Sequence, residues 1–175
     1  VNAAATGATE GIYAKRGNIT INGNAKVTAA GGGCDGIHVE IGNITIAESA
    51  EVTATVASEG DYGIYVYNGN ITINGNAKLT ATGEDKGICV SEGDITISDN
   101  ANVTAMGKDE GIYTLKGNIA INGSAVVKAA GDISIATYRG YVAISDNARV
   151  DAAGNMRGIY GQSEVKITGK PSVTA

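Results

Sequence analysis

Eight tyrosines and one histidine are the side chains best able to recognise a ligand in this chain of 175 residues, which lacks Phe and Trp. Tyr13, Tyr65, Tyr67, Tyr113, Tyr138 and Tyr160 recur at related places, and His38 stands where the pattern otherwise calls for tyrosine. A phenol offers a ring face for stacking and a hydroxyl for hydrogen bonding, the combination that holds sugar rings. Tyrosine also favours strands and pairs well across them, so a ladder that only braces a sheet is the competing reading. Tyr65 and Tyr67 share one segment and are the expected centre of an aromatic platform.

Other chemistry is thinner. Carboxylates gather at Glu10, Asp35, Glu59, Asp61, Glu84, Asp85, Asp109, Glu110 and Asp132. Such groups suit a hard cation, so Ca²⁺ is admitted as a guest, although EF-hand and GGxGxD spacings are both missing. The plainer reading is a solvated edge with Lys86, Lys108 and Arg157 interspersed, and no cofactor is required. Thr20, Thr45, Thr72 and Thr96 form one outward row and Thr28, Thr53, Thr80 and Thr104 another. Ice binding is disfavoured for these rows because Lys26, Glu51 and Lys78 break the second. The sequons at Asn18, Asn43, Asn70 and Asn102 follow from the repeat and read as chance matches.

What positions these residues is a repeat. The text GIYAKRGNITINGNAKVTA from Gly11 returns from Gly36, Gly63, Gly87 and Gly111, with weaker copies from Ser134 and Gly158. Successive starts lie 25, 27, 24, 24, 23 and 24 residues apart. A fixed period of this size marks a solenoid whose units bury their apolar faces against each other. Each unit holds three short alternating segments, Ile12–Lys15, Asn18–Ile21 and Ala25–Ala29 in the first, separated by Gly/Asn corners. Segments this short are strands. The Asn-Gly pairs at Asn22, Asn74 and Asn122 would suit hairpins elsewhere. Here the three segments of a unit differ while each slot recurs between units, which demands parallel stacking of like on like. The expected fold is all-β, a single-stranded right-handed parallel β-helix of about seven coils and three sheets. Ile12, Ile37, Ile64, Ile88 and Ile112 should form one buried file.

That scaffold bounds function. Its coils are too uniform, and their loops too short, to wall a water-excluding pocket, so no enzyme is expected. The longest excursion is Thr55–Tyr62. Cys34 and Cys89 would lie two rungs apart, ~10 Å, beyond the ~7 Å that a disulfide spans, and are read as unpaired. A net charge of −5 with mixed signs gives no footprint for nucleic acid or anionic membrane. No stretch is long and apolar enough for membrane insertion. Val1–Glu10 reads as the third segment and turn of an earlier coil, so 1–175 is taken as a single domain excised from a longer surface protein. Uncapped ends would invite end-to-end self-association.

The slots GIY, GNITI and VTA resemble the right-handed β-helix repeats of secreted bacterial surface proteins. Within that group they are similar to the carbohydrate-binding β-helix family that shares a fold with pectate lyases. The resemblance implies an extracellular or cell-surface, adhesin-type domain, its signal peptide outside this chain, that binds polysaccharide or cell-wall glycan. A stalk that binds nothing is the alternative, and a polysaccharide lyase or hydrolase trails both. On this reading the site comprises Tyr13, His38, Tyr65, Tyr67, Tyr113, Tyr138 and Tyr160, with no catalytic residue and any metal ligand unknown.

Overall fold

The structure is a computed structural model describing residues 1–56 and 61–175. Residues 57–60, which include Glu59 and half of the Thr55–Tyr62 excursion, lie outside the described residues. The described chain is all β-strand and turn, wound as a parallel β-solenoid of about seven turns. No helix long and apolar enough to cross a membrane occurs among the described residues.

Each slot of the repeat pairs with the same slot one coil away. Ile12, Ile37, Ile64, Ile88, Ile112, Ile135 and Ile159 are in register along the first face. The second face aligns Ile19, Ile44, Ile71, Ile95, Ile119, Val142 and Val165. Val27, Val52, Leu79, Val103, Val127, Val150 and Val173 align on the third. Asn2–Gly7 pairs in register with Lys26–Gly31, as the third segment of a coil should. Every strand pair around the Asn-Gly corners is parallel, so those corners turn the chain between faces and close no hairpin.

The three faces make two sheets rather than three. The strands Val126–Arg139 and Arg149–Gly161 run unbroken from the third face onto the first and join them into one thirteen-stranded sheet. These two strands stay paired with each other through the corner, from Val126 with Arg149 to Thr137 with Gly161, so the ladder continues from one face onto the other with a register shift, by a bulge, between Gly131 and Ile133.

Inward files fill the narrow core. Ile37, Ile64, Ile88, Ile112, Ile44, Ile71, Ile95 and Ile119 are all wholly buried, each worth about 1.5–3 kcal/mol of transfer free energy. Ala29, Ala54, Ala81, Ala105 and Ala129 bring the walls close, which is why a core without large aromatics closes at all. Two inward positions of the first face carry hydroxyls. Thr114 and Thr137 are wholly buried and donate to the carbonyls of Gly93 (2.9 Å) and Gly117 (2.7 Å) in the preceding coils. These bonds remove the cost of a buried unpaired hydroxyl.

Two corner files hold the pitch. Asn18, Asn43, Asn70, Asp94 and Asn118 stack, and each side-chain Oδ1 accepts the backbone N–H of the next coil's residue at 2.7–3.2 Å. Beside them Gly42 and Gly69 take φ of +144° and +148°. A Cβ at Gly42 would sit 2.6 Å from the carbonyl carbon of Gly17. Both conformation and clearance therefore exclude a side chain.

Two outcomes follow. Gly42→Ala should cost at least about 2 kcal/mol in urea unfolding, because it combines a glycine-only φ with a backbone clash. Ser134 stands in the glycine file of Gly11, Gly36 and Gly63, and its hydroxyl is buried without a partner among the described residues. Ser134→Ala should therefore stabilise the fold by about 1 kcal/mol, read as a higher urea midpoint at an unchanged slope.

Candidate functional site

Period-2 alternation turns two files of the first face outward. The nearer runs Tyr13, His38, Tyr65, Cys89, Tyr113, Ala136, Tyr160, in register throughout. Next to it run Lys15, Glu40, Tyr67, Ser91, Leu115, Tyr138 and Gln162. The residues that lead each strand onto the face, Tyr62, Lys86, Glu110, Ile133 and Arg157, are also in register. Several of them fold over the nearer file. The expected site residues thus occupy two adjoining rows, with Tyr62 as an unforeseen member.

The rows do not form a flat platform. Tyr13 and His38 meet edge-to-face, ring centres 5.4 Å apart and planes at 89°. His38 stands similarly on Tyr65 at 4.9 Å and 66°, and Tyr62 leans on Tyr65 at 4.9 Å and 43°. Edge-to-face contacts suit ring quadrupoles and stabilise the packing, but they use up ring surface. Tyr65 is consequently half-buried, its hydroxyl 2.9 Å from Ser91 Oγ. Tyr67 is exposed at 52%, so the expected centre divides into one packed ring and one free ring.

Charges brace the N-terminal part of the strip. Asp35 is buried at 4% exposure; its Oδ1 accepts the Tyr62 N–H at 3.1 Å and its Oδ2 lies 2.9 Å from His38 Nδ1. Glu40 accepts the Tyr13 hydroxyl proton, and this bond holds the phenol up at about 12. His38 is thus tied into the ladder by the Tyr13 and Tyr65 rings and through Nδ1.

Two outward positions are covered rather than exposed. Cys89 is 4% exposed because the Lys86 side chain crosses above it, its ammonium 5.5 Å from the Tyr62 ring centre and 5.4 Å from that of Tyr113. Lys86 Nζ also lies 3.2 Å from Glu110 Oε2. Burial opposes the charge on Lys86, but Glu110 outweighs it and the net shift is upward. Burial likewise pushes Glu110 up against the pull of Lys86. The Cys89 thiol is raised by burial to about 12. Cys34 is half-buried and raised by burial and by the nearby Glu10 and Asp35 charges, and both cysteines are free thiols.

Ala136 is the other covered position, and its small side chain floors an open cleft. In its coil Ile133 stands where Lys86 stands earlier, and it is too short to cross the strip. The result is a cleft of about 220 Å³ lined by Glu110, Tyr113, Ile133, Ala136, Tyr138, Arg157 and Tyr160. Tyr138 is 50% exposed, and the Arg157 guanidinium lies 4.9 Å from the Tyr160 ring centre. Sequence alternation named all three tyrosines of this cleft but not their convergence around a missing ring.

The remaining candidates are dispersed. The aspartates at 61, 85, 109 and 132 precede four in-register corner residues and so occupy consecutive turns. No group of three or more His, Cys, Asp or Glu side chains is placed to hold a metal ion among the described residues. The third-face threonines are in register beside a charged ridge in which Glu51 pairs with Lys26 at 2.8 Å and Lys78 at 3.6 Å. A larger cleft of about 480 Å³ on that face has exposed walls at Lys128, Arg149 and Asp151 and no aromatic residue. Comparison with known protein families, curated proteins and solved structures finds no match.

The buried acids and the buried amine of the strip predict alkaline lability. Unfolded Cys and Tyr ionise near 9.0 and 10.0, whereas Cys89 and Tyr113 hold their protons to about 12 when folded. As pH rises through that window the unfolded state loses protons that the folded state keeps, and stability falls. Lys86, raised above 10.5, contributes in the same direction, since its pairing is lost as pH passes its folded value. Urea midpoints should drop steeply between about pH 9 and pH 12, and Cys89→Ala should shallow the early part of that drop.

Proposed function

We propose that this chain is a non-enzymatic, extracellular β-solenoid domain that binds polysaccharide on the outer surface of its first face. The observation that carries the reading is the cleft over Ala136, where Tyr113, Tyr138 and Tyr160 surround a space sized for a single sugar unit. Rings supply stacking surface, while Glu110, Arg157 and the phenol hydroxyls supply directional bonds, the composition expected of a small-ligand site. Exposed Tyr67 and Tyr13 extend the surface along the axis at the rung spacing of ~4.8 Å, so a long glycan would meet several rings in turn. The sequence resemblance to carbohydrate-binding β-helix repeats supports the same ligand class.

One observation favours the alternative of a stalk without a ligand. The Tyr13, His38, Tyr65 and Tyr62 rings pack on one another, as a purely bracing ladder would.

A glycan array on the intact chain followed by affinity electrophoresis separates the two. Tyr138→Ala with Tyr160→Ala should weaken retention by any glycan found more than tenfold, since central aromatic anchors contribute ~2 kcal/mol or more each. Tyr65→Ala should change unfolding more than retention. Unchanged retention in the double variant overturns the cleft as the binding site, and no glycan bound by the parent leaves the stalk reading in place.

A further inference from the structure

One corner file alternates between two chemistries. Gly23, Gly75 and Gly123 take φ of +64°, +68° and +67°, and Glu48, Asp99 and Asp146 take φ of +61°, +59° and +60° at the same corner of the intervening coils. Each glycine follows an asparagine. The aspartates reach back across one coil: Asp99 Oδ2 accepts the Gly75 N–H and Asp146 Oδ2 accepts the Gly123 N–H, both at 3.0 Å. At the first pair the acid is a glutamate. Its Oε2 lies 3.9 Å from where a Gly23 Cβ would stand, and the Gly23 N–H makes no hydrogen bond among the described residues. Asn22 is exposed, whereas Asn74 and Asn122 are half-buried.

We propose that Asn22–Gly23 is a self-modification site, at which the chain deamidates and isomerises while Asn74–Gly75 and Asn122–Gly123 are protected by the aspartate of the following coil. In the reaction, hydroxide takes the proton from Gly23 N and the nitrogen attacks Asn22 Cγ. The new C–N bond closes a five-membered imide, and the Cγ–Nδ2 bond breaks to release ammonia, which takes its proton from water. Water then opens the imide at either carbonyl, leaving aspartate or isoaspartate at position 22. A carboxylate bonded to the attacking N–H blocks the first step twice, because it holds the proton and repels the amide anion that must form. Isoaspartate at this corner would route the backbone through an extra methylene, and either product adds a negative charge beside Glu48.

The test is incubation of the intact protein in mildly alkaline buffer, followed by tryptic mapping and isoaspartyl-methyltransferase labelling. Asn22 should convert at least about tenfold faster than Asn74 or Asn122, a barrier difference of about 1.4 kcal/mol. Glu48→Asp gives the first pair the side-chain length of the other two and should slow Asn22 toward their rate. Asp99→Gly removes the acceptor over Gly75 and should speed Asn74 toward the parent rate at Asn22. That variant relieves a positive φ with the residue the file already uses, so the fold is retained, which an unchanged circular dichroism spectrum checks. Equal rates at the three asparagines in the parent overturn the proposal. So does an Asn22 rate indifferent to Glu48→Asp, or an Asn74 rate indifferent to Asp99→Gly.

Discussion

In-register parallel pairing between coils is the constraint on which everything else in this molecule depends. A single coil buries almost nothing of its own, because its three short strands face a space only a few side chains wide. The space closes when the next coil sets isoleucine on isoleucine and alanine on alanine. Backbone hydrogen bonds then run along the axis, and each unit's stability belongs largely to its two interfaces. A slip of one residue would turn every inward isoleucine outward, so the hydrophobic pattern fixes the register strongly. The corners enforce the same register by different means. Asparagine side chains bond the next coil's backbone, and stacked glycines let the coils approach closely where a Cβ would clash.

The outer surface inherits that regularity and departs from it in informative places. Stacking puts like residues one rung apart, so a ring at every rung gives continuous mutual packing, as from Tyr13 to Tyr65. Where the file holds a small residue, the neighbouring corner decides the outcome. Over Cys89 the corner supplies Lys86, which crosses the strip between Tyr62 and Tyr113 and pairs with Glu110. Over Ala136 it supplies Ile133, and a cleft remains. One scaffold position thus yields a plugged site in the fourth coil and an open one in the sixth.

The fold was legible because its determinants are periodic. The Ile37 and Ile44 files, the glycine corner at Gly42 and the parallel sense all follow from slots that recur about every 24 residues. The site was legible only in part, because alternation says which side of a strand a residue takes and not what covers it there. Cys89 and Ala136 point outward and are nonetheless buried. Tyr62 and Lys86 open their strands next to a corner, outside the alternating segments that the repeat defines, and so their reach over the first face left no signal in the pattern. Thr114 and Thr137 occupy inward slots that read as apolar elsewhere, and their partners are backbone carbonyls that sequence cannot display. The merging of the first and third faces turned on pairing that continues through one corner, with a register shift between Gly131 and Ile133 that the repeat does not display.

Nuclear Overhauser contacts across the second face test the stacking most directly, because its three-residue strands have the least room for ambiguity. The account predicts contacts between the backbone protons of Ile71 and Ile95, and of Thr72 and Thr96, with the same pattern repeating at Ile95 and Ile119. Cross-strand contacts bridging Asn22-Gly23 or Asn74-Gly75, in which residues flanking the pair face each other in antiparallel order, would contradict it.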